Sequence, residues 1–599
     1  MWLTDSAGKP AMEGKSATLG GDAFIGRKNE LRVFEDLLRK SRHNKHLLHI
    51  YGEAGIGKTS LLQAFQKITE PMDKMVYFNL DSDDLIHSPS CLAEQMIHLI
   101  STKLHIRPPH AAKSLGLDDC VHIIKNAAKI YQIVIAIDHF EKFGSLGQQL
   151  REGFIEQLPS NTLVVIAGRH PLADGWVDSS TLHASITQLQ LTGFNYDESC
   201  TYLQEAGVEG QKAFKNIWHY TDGHPLALSF FRISHYEDAY TRAYPPTLEE
   251  RLSYLIKTWL EGISDPDWRL LIETASVVRH FNQSLISNVL KERVSATAIA
   301  ELTSLPFVKK TNHGWTIHEL VRSKIILLLK EGAPQNYHLL RRQSAYHFLH
   351  KMSANELTDR NLAEFLYHVG EEITRSSLFT STADSNKYLD PIGKHNLEEL
   401  EEYVQKKQPF MENILELSNT EEDFSPSGFL NPGWNNERRP SFQFVKNEHG
   451  QNLGLSIVVP INRETIQHLK SAPASRGYFK DLSMMDEKEY SVSQDSQSGW
   501  YIRMLSSSRH EDAETGYFLL YHLFPLLLTG GRMLISTPNS AFQDLIKFFG
   551  YKEVEGASFQ EEDGISSPTY LLDVRGPRLV PYLNQLADRA YSKNHVPNR

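Results

Sequence analysis

The sequence predicts a multidomain α/β protein, and three observations lead there. Between residues 24 and 175, short apolar runs of buried-strand type alternate with stretches long enough for crossover helices, the pattern of a parallel sheet. One of these runs feeds a glycine-rich turn that opens a helix. From Phe442 onward a second alternation of strand-like and helix-like runs begins. A chain of 599 residues has room for several domains of roughly 150 residues each.

In order, Leu47–Tyr51 reads as a strand and Lys58–Lys67 as a helix, and Met75–Leu80, Ile133–Ile137 and Leu163–Ala167 read as further buried strands. Residues 176–330 have mostly helical spacing, and amphipathic helices follow over 335–375, for example Tyr337–His350. Residues 376–430 are rich in Ser, Asn and Glu and read as linker with a helical piece at Leu397–Glu416. The second alternation runs through strands Phe442–Val445, Gly454–Val459 and Tyr501–Leu505 and the apolar helix Gly516–Leu528. Strand Arg532–Ser536, helix Ala541–Phe549 and strand Tyr570–Val574 complete it. There is no fixed-period repeat, hence no sign of a long solenoid.

Composition narrows the classes. Hydrophobic residues make up 41% and charged residues 23%, ordinary for a soluble globular protein. A net charge of −11 argues against nucleic acid as the partner. The three cysteines, Cys91, Cys120 and Cys200, form no CxxC pair, which argues against a zinc site or a disulfide framework and suits a reducing cytoplasm. Met1–Asp22 lacks the apolar core of a signal peptide. The longest greasy stretch, Phe518–Leu528, is broken by His522 and Pro525, well short of the ~20 residues that span a bilayer. A soluble cytoplasmic protein with no membrane partner is the expectation.

The chemistry centres on Gly52-Glu-Ala-Gly55-Ile-Gly57-Lys58-Thr59, which satisfies GxxxxGK[ST] with a strand before it and a helix after it. Glycines let backbone N–H groups turn inward around phosphate oxygens, and the helix N-terminus adds partial positive charge. Lys58 would reach the β- and γ-phosphates, Thr59 would ligate Mg²⁺, and Ser60 follows as a further nucleotide contact. The expected ligands are therefore ATP or ADP with Mg²⁺. Asp138 closes the apolar run Ile133-Val-Ile-Ala-Ile and is poised to hold the metal through its water shell. His139 stands where many such ATPases carry a second carboxylate. Glu141 is the nearest acid, either catalytic or a solvated loop residue. Arg169, after the run Leu163-Val-Val-Ile-Ala-Gly168, is either a sensor of the γ-phosphate or a surface arginine. The set points to nucleotide binding with slow hydrolysis.

Two further segments flank this core: Phe24-Ile-Gly-Arg27-Lys-Asn-Glu30-Leu31 and Gly223-His-Pro225-Leu226-Ala-Leu. Together with Asp138 and Arg169 they resemble the STAND class of AAA+-related signal-transducing ATPases, over roughly residues 22–375. The resemblance implies that Arg27 lies against the nucleotide and Pro225 on its adenine side; Pro225 also reads simply as a helix-start proline. It implies a winged-helix domain, whose end Leu302–Val308 and Trp315-Thr-Ile-His318-Glu-Leu-Val-Arg322 are similar to. His318 is then a contact of the ADP β-phosphate, or else a helix-terminal histidine. Tyr337-His-Leu-Leu-Arg-Arg342 through Tyr367-His368 resembles the helical arm of that class. The chain departs from the class at His139, in lacking a long repeat array, and in lacking a terminal helix-turn-helix output domain.

Asn539-Ser-Ala-Phe542-Gln-Asp-Leu545-Ile546-Lys-Phe-Phe549-Gly550-Tyr551 resembles the late helix-to-strand motif of GNAT acyltransferases, with the similarity spanning about residues 425–590. Where that family grips a pyrophosphate, Ser506–Gly516 carries Glu511, Asp512 and Glu514, which would repel it. Where the family places a tyrosine acid, Ile546 stands. This is read as a degenerate GNAT-like domain binding a ligand or partner, or as an unrelated α/β module. Trp434 with Arg438 and Arg439 is either a recognition surface or a solvated stretch.

The expected division is a flexible N-terminus (1–22), a P-loop nucleotide-binding domain (23–175), a helical lid (176–245), a winged-helix-like domain (246–330), a helical arm and linker (331–424) and the GNAT-like domain (425–599). The expected function is an ATP/ADP-controlled regulatory switch. It would engage a protein partner or its own copies in the ATP state and answer an unknown small-molecule signal. The rivals are an ATPase-regulated, acyl-CoA-dependent N-acyltransferase and a winged-helix DNA-binding transcriptional regulator.

Overall fold

The computed structural model describes residues 18–19, 22–81, 89–104, 117–143, 150–151, 153–172, 176, 186–233, 247–311, 313–354, 356–376, 388–391, 399–400, 402–403, 441–446, 451–463, 465–480, 482–492, 498–507, 515, 518, 531–537, 540–560 and 566–591. Most of the expected helix Gly516–Leu528, most of the linker, Asn539, Trp434, Arg438, Arg439 and the acidic positions 511, 512 and 514 lie outside these residues. The chain divides into two compact units, Met1–Ser276 with Ala296–Glu331, and Val277–Ser295 with Gly332–Arg599. No helix among the described residues is long and apolar enough to cross a membrane.

The first unit is built on a parallel sheet of five strands: β1 (His46–Tyr51), β2 (Met75–Asp81), β3 (Gln132–Asp138), β4 (Thr162–Gly168) and β5 (Ile186–Gln190), in the order β2-β3-β4-β1-β5. Alternate residues of each strand point to opposite faces, and both faces are covered. On β3, Ile133, Ile135 and Ile137 join a core with Phe78, Ile97 and Phe154. Val134 and Ala136 join the opposite core with α1 (Lys28–Lys40) and α2 (Lys58–Thr69). There Phe34 of α1 stacks on Phe65 of α2 with ring centroids 3.9 Å apart. This two-sided burial is why these strands read as continuous apolar runs. Strand β5 extends the sheet past residue 175. Its sequence, Ile-Thr-Gln-Leu-Gln, is half polar because it forms a partly exposed edge beside β1.

Beyond the sheet, α3 (Tyr196–Glu205) starts with a capping box in which Asn195 and Glu198 satisfy each other's backbone N–H. Helix α4 (Pro225–Ile233) and helix Leu248–Glu261 follow. Phe230, Trp259 and Phe307 pack ring on ring and carry the hairpin Val308–Thr311/Gly314–Ile317 and then α5 (Glu319–Gly332).

The second unit holds helix Gln283–Leu290, α6 (Pro334–Ser353), α7 (Asp359–Ser376) and a seven-stranded sheet ending in α8 (Leu579–Tyr591). With β6 (Tyr388–Pro391), β7 (Ser441–Lys446), β8 (Asn452–Pro460), β9 (Trp500–Ser507), β10 (Arg532–Ser536), β11 (Lys552–Glu553) and β12 (Thr569–Asp573), its order is β6-β7-β8-β9-β10-β12-β11. All neighbours are antiparallel except β9 and β10, which pair in parallel over Trp500–Ile502 and Met533–Ile535. Strand β6 lies in the stretch read as linker, yet pairs with β7 in full register. Helix α8 returns to α6 and α7, where Tyr346 donates to Asp588 at 2.7 Å and Tyr591 donates to the His368 carbonyl at 2.9 Å. The arm and the C-terminal sheet therefore form one body, where the sequence suggested two domains. The segment 246–330 is also divided. The helix Gln283–Leu290, with Leu285, Ile286 and Val289 buried, belongs to the second unit.

Candidate functional site

Parallel α/β sheets place ligands at the carboxyl ends of their strands, and there the first unit gathers its chemistry. Strand β1 ends at Tyr51, beside Gly168 at the end of β4. The chain then turns through Gly52–Gly57 into α2. Gly57 has φ +101° and opens the helix with no side-chain cap, so the N–H groups of the first turn point outward unsatisfied by a cap. A Cβ at Gly57 would meet nothing within 4 Å, which leaves room for a phosphate. Gly55, at φ +81°, is needed for a different reason. A Cβ there would lie 2.9 Å from His224 Cε1 and from Leu226 Cβ.

Lys58 is only 8% exposed. Its Nζ donates to the Gly52 and Glu53 carbonyls at 2.6 and 2.8 Å, so the ammonium is folded onto its own loop. Burial lowers its pKa, against the opposing pull of Glu141 and Asp138. Thr59 is partly exposed and Ser60 exposed. Asp138 is 1% exposed. One carboxylate oxygen accepts from the His139 N–H at 2.9 Å, while Oδ2 has no hydrogen-bond partner; its nearest ion-pair neighbour is His139 Nδ1 at 3.8 Å. A buried orphan oxygen calls for a cation or water, so the residues fit a Mg²⁺ shared between one or two protein ligands and a phosphate.

Glu141 and Arg169 meet each other. Glu141 accepts from the Arg169 backbone N–H at 3.2 Å and from its Nε at 3.1 Å. The far end of the guanidinium donates to Glu319 at 3.0 Å. Glu141 is thus neither a solvated loop acid nor an unengaged catalytic one. Arg169 is not a bare surface arginine either: it bridges the turn after β3 and the first residue of α5.

Arg27 is 5% exposed and left-handed, at φ 58°. Its guanidinium donates to the Ile56 carbonyl at 2.9 Å, the Thr192 carbonyl at 2.7 Å and Glu30 at 3.2 Å, and lies 5.2 Å from the Phe194 ring centroid. Its backbone N–H donates to Glu198 of the α3 capping box at 3.0 Å. The side chain braces the phosphate loop from behind. Pro225 is the first residue of α4, and the residues that reach the loop are its neighbours. His224 donates from Nε2 to the Ala54 carbonyl at 3.1 Å and accepts from the Ala227 N–H at Nδ1. Burial pushes its pKa down to about 4, so at neutral pH it is an uncharged donor. Sequence reading passed over His224, although it stands inside the Gly223-His-Pro225 motif.

His318 ends the hairpin and precedes α5. Its Nδ1 accepts from the Leu320 N–H at 3.4 Å, which leaves the proton of the neutral ring on Nε2. Burial, followed by the positive charge of Lys309, lowers its pKa to about 3, and His139 and His224 are close enough to act in the same direction. The first unit thus brings His318 into the neighbourhood of the loop as a neutral donor.

These features have the geometry of a phosphate-binding loop at the carboxyl end of a parallel sheet. Residues 23–166 match the AAA ATPase domain family. Among solved structures, the chain is similar to a Signal Transduction ATPase with Numerous Domains (STAND) with a tetratricopeptide repeat sensor from Pyrococcus horikoshii. Identity is 16% and the TM-score 0.36, over 60% of this chain and 54% of that one. It is also similar to Cdc6p from Pyrobaculum aerophilum (17% identity, TM-score 0.28, 51% of this chain and 94% of that one). A third likeness is to Drosophila ORC bound to DNA (13% identity, TM-score 0.29, 62% and 89%). This chain spans about half the length of the Pyrococcus STAND protein. No curated protein sequence matches it.

Proposed function

We propose that this protein is an ATP/ADP-controlled switch of the STAND type, in which Arg169 reads the γ-phosphate. The observation that carries the proposal is the position of Arg169, held between Glu141 and Glu319 beside the phosphate loop. A γ-phosphate would compete with Glu319 for the guanidinium, because arginine–phosphate bonds are charge-assisted and bidentate. ADP offers no such competitor. The two nucleotides would then favour different positions of α5 and the hairpin before it, which is the differential interaction a switch requires.

In this reading the N–H groups of Gly55, Gly57, Lys58, Thr59 and Ser60 hold the phosphates, and Lys58 leaves the Gly52 and Glu53 carbonyls to reach them. Thr59 and Asp138 hold Mg²⁺, which supplies charge neutralisation to the phosphates. His318 donates from Nε2 to ADP. Arg27, and His224 beside Pro225, keep the loop in shape. Hydrolysis is slow because Glu141 is engaged by Arg169 and position 139 is a histidine. The GNAT-like sheet of the second unit serves as sensor or output module for a small ligand or protein partner. Its Ile546 is fully buried in the core, which offers no acid for acyl transfer. The ATP state assembles with a partner or with further copies of the chain.

The test is calorimetric titration of the full chain with ATP and ADP in Mg²⁺, wild type against Lys58→Ala and Arg169→Ala. Lys58→Ala is expected to weaken both nucleotides by more than about tenfold, since it removes a charge-assisted contact. Arg169→Ala should weaken ATP alone. Equal, tight binding by wild type and Lys58→Ala would reject the proposal.

A further inference from the structure

The hairpin Val308–Thr311/Gly314–Ile317 belongs to the first unit and leads into His318 and Glu319. Paired residues of antiparallel strands project from one face, and successive residues from opposite faces. Val308 pairs with Ile317, Lys309 with Thr316 and Lys310 with Trp315. The His318 N–H donates to the Phe307 carbonyl at 2.8 Å and carries the ladder one pair further. Lys309 therefore shares its face with Thr316 and His318. Lys310 lies on the opposite face, its Nζ 6.0 Å from the Trp315 ring centroid.

Lys309 is partly buried, and its charge acts on two residues of the candidate site. At Lys58 burial lowers the pKa most, Glu141 and Asp138 oppose it, and Arg169 and Lys309 add to it. At His318 burial again comes first and Lys309 next. The face that carries Lys309 and His318 thus looks onto the phosphate loop and brings a further cation up to Lys58 and Arg169. The carboxylates of Glu141 and Glu319 are engaged by Arg169. The Lys309 ammonium has no hydrogen bond or ion pair among the described residues. Like charges gathered in a partly buried site repel one another until an anion joins them.

We propose that Lys309 is a further phosphate-binding residue, whose ammonium joins Lys58 on the diphosphate of a bound nucleoside diphosphate. The inference rests on the nucleotide-switch reading and deepens it. The hairpin then holds the nucleotide by charge, through Lys309, as well as through the neutral His318. The diphosphate supplies the counter-charge that the gathered cations need, and bonds between an ammonium and a phosphate are charge-assisted. Without nucleotide, Lys58 and Lys309 repel, which works against the hairpin's approach to the loop. With nucleotide, the same two residues draw it in.

Calorimetric titration of the full chain with ADP in Mg²⁺ tests it, comparing wild type with Lys58→Ala, Lys309→Met, Lys309→Arg and Lys310→Met. Lys309→Met is expected to weaken ADP about tenfold, the lower end for a charge-assisted contact because the side chain is only partly buried. Lys309→Arg keeps the charge and should stay within about threefold of wild type. Lys310→Met, on the opposite face, should bind as wild type does. Melting of the nucleotide-free protein separates a lost contact from lost folding. Lys309→Met should melt no lower than wild type, since it relieves repulsion, and should gain less from added ADP. Unchanged ADP affinity in Lys309→Met, with Lys58→Ala still weakened, overturns the role of Lys309 and leaves the switch reading standing. An equal loss in Lys309→Arg or Lys310→Met, or a lower nucleotide-free melting temperature in Lys309→Met, also overturns it. If Lys58→Ala binds as tightly as wild type, both readings fall.

Discussion

Replacing Glu319 by Gln should make the protein favour ATP over ADP more than the wild type does. The structure sets the size of the effect. The Arg169–Glu319 contact is 3.0 Å long, but its side chains are 28% and 42% exposed, so solvent screens it. Exposed pairs of this kind are worth about 0.2–1 kcal/mol. ADP leaves the contact at position 319 undisturbed in either protein, so it cancels. For ATP the guanidinium must leave Glu319, and Glu319→Gln removes that cost, improving the ATP-to-ADP affinity ratio by up to about fivefold. Competition of unlabelled ATP and ADP against a fluorescent ADP reads the ratio directly. Glu141→Gln is the comparison, since Glu141 holds the other side of the guanidinium through two contacts. An unchanged ratio in Glu319→Gln, with both nucleotides still bound, would show that Arg169 does not pass between Glu319 and the γ-phosphate.

Two further outcomes follow from the same geometry. His49 and His224 are each buried, and burial pushes both pKa values down to about 4. The unfolded chain takes up these protons near pH 6.5 and the folded chain only near pH 4. Stability is therefore full above about pH 6.5 and falls as pH drops towards 4, by up to about 3 kcal/mol per histidine. Denaturant midpoints of the first unit at pH 7, 5.5 and 4.5 check this, and a midpoint that is flat or rises on acidification would contradict it. Gly55→Ala should destabilise the first unit by about 1–3 kcal/mol, through a left-handed backbone and a collision with His224 and Leu226. Gly57→Ala, in open space, should cost about 1 kcal/mol from its backbone alone. Thermal melts that rank the two in reverse order would reject the packing described for α4.

Much of the first unit was legible because its chemistry is local. Strands buried on both faces spell themselves as apolar runs, and a phosphate loop carries its glycines and lysine in one short window. What escaped the sequence is tertiary. Strand β5 is half polar at an exposed edge and gives no period-two signal. Glu319 reads as an ordinary acid in the first turn of a helix, and only the fold brings it 3.0 Å from Arg169. Arg27 is a nucleotide contact in the sequence by resemblance alone, and only the fold shows that Ile56 and Thr192 offer it their carbonyls. His224 was hidden by the proline beside it, whose helix-starting role is the more familiar signal. The placement of residues 277–295 could not be read at all, since their sequence neighbours lie in one unit and their packing partners in the other.

The most direct measurement of the central claim is a structure of the full chain with Mg²⁺ and a non-hydrolysable ATP analogue. The account predicts the polyphosphate against the N–H groups of Gly55–Thr59, with Lys58 Nζ moved off the Gly52 and Glu53 carbonyls and Arg169 turned from Glu319 to the γ-phosphate. A nucleotide bound elsewhere, or Lys58 still hydrogen-bonded to its own loop with the analogue in place, would contradict it.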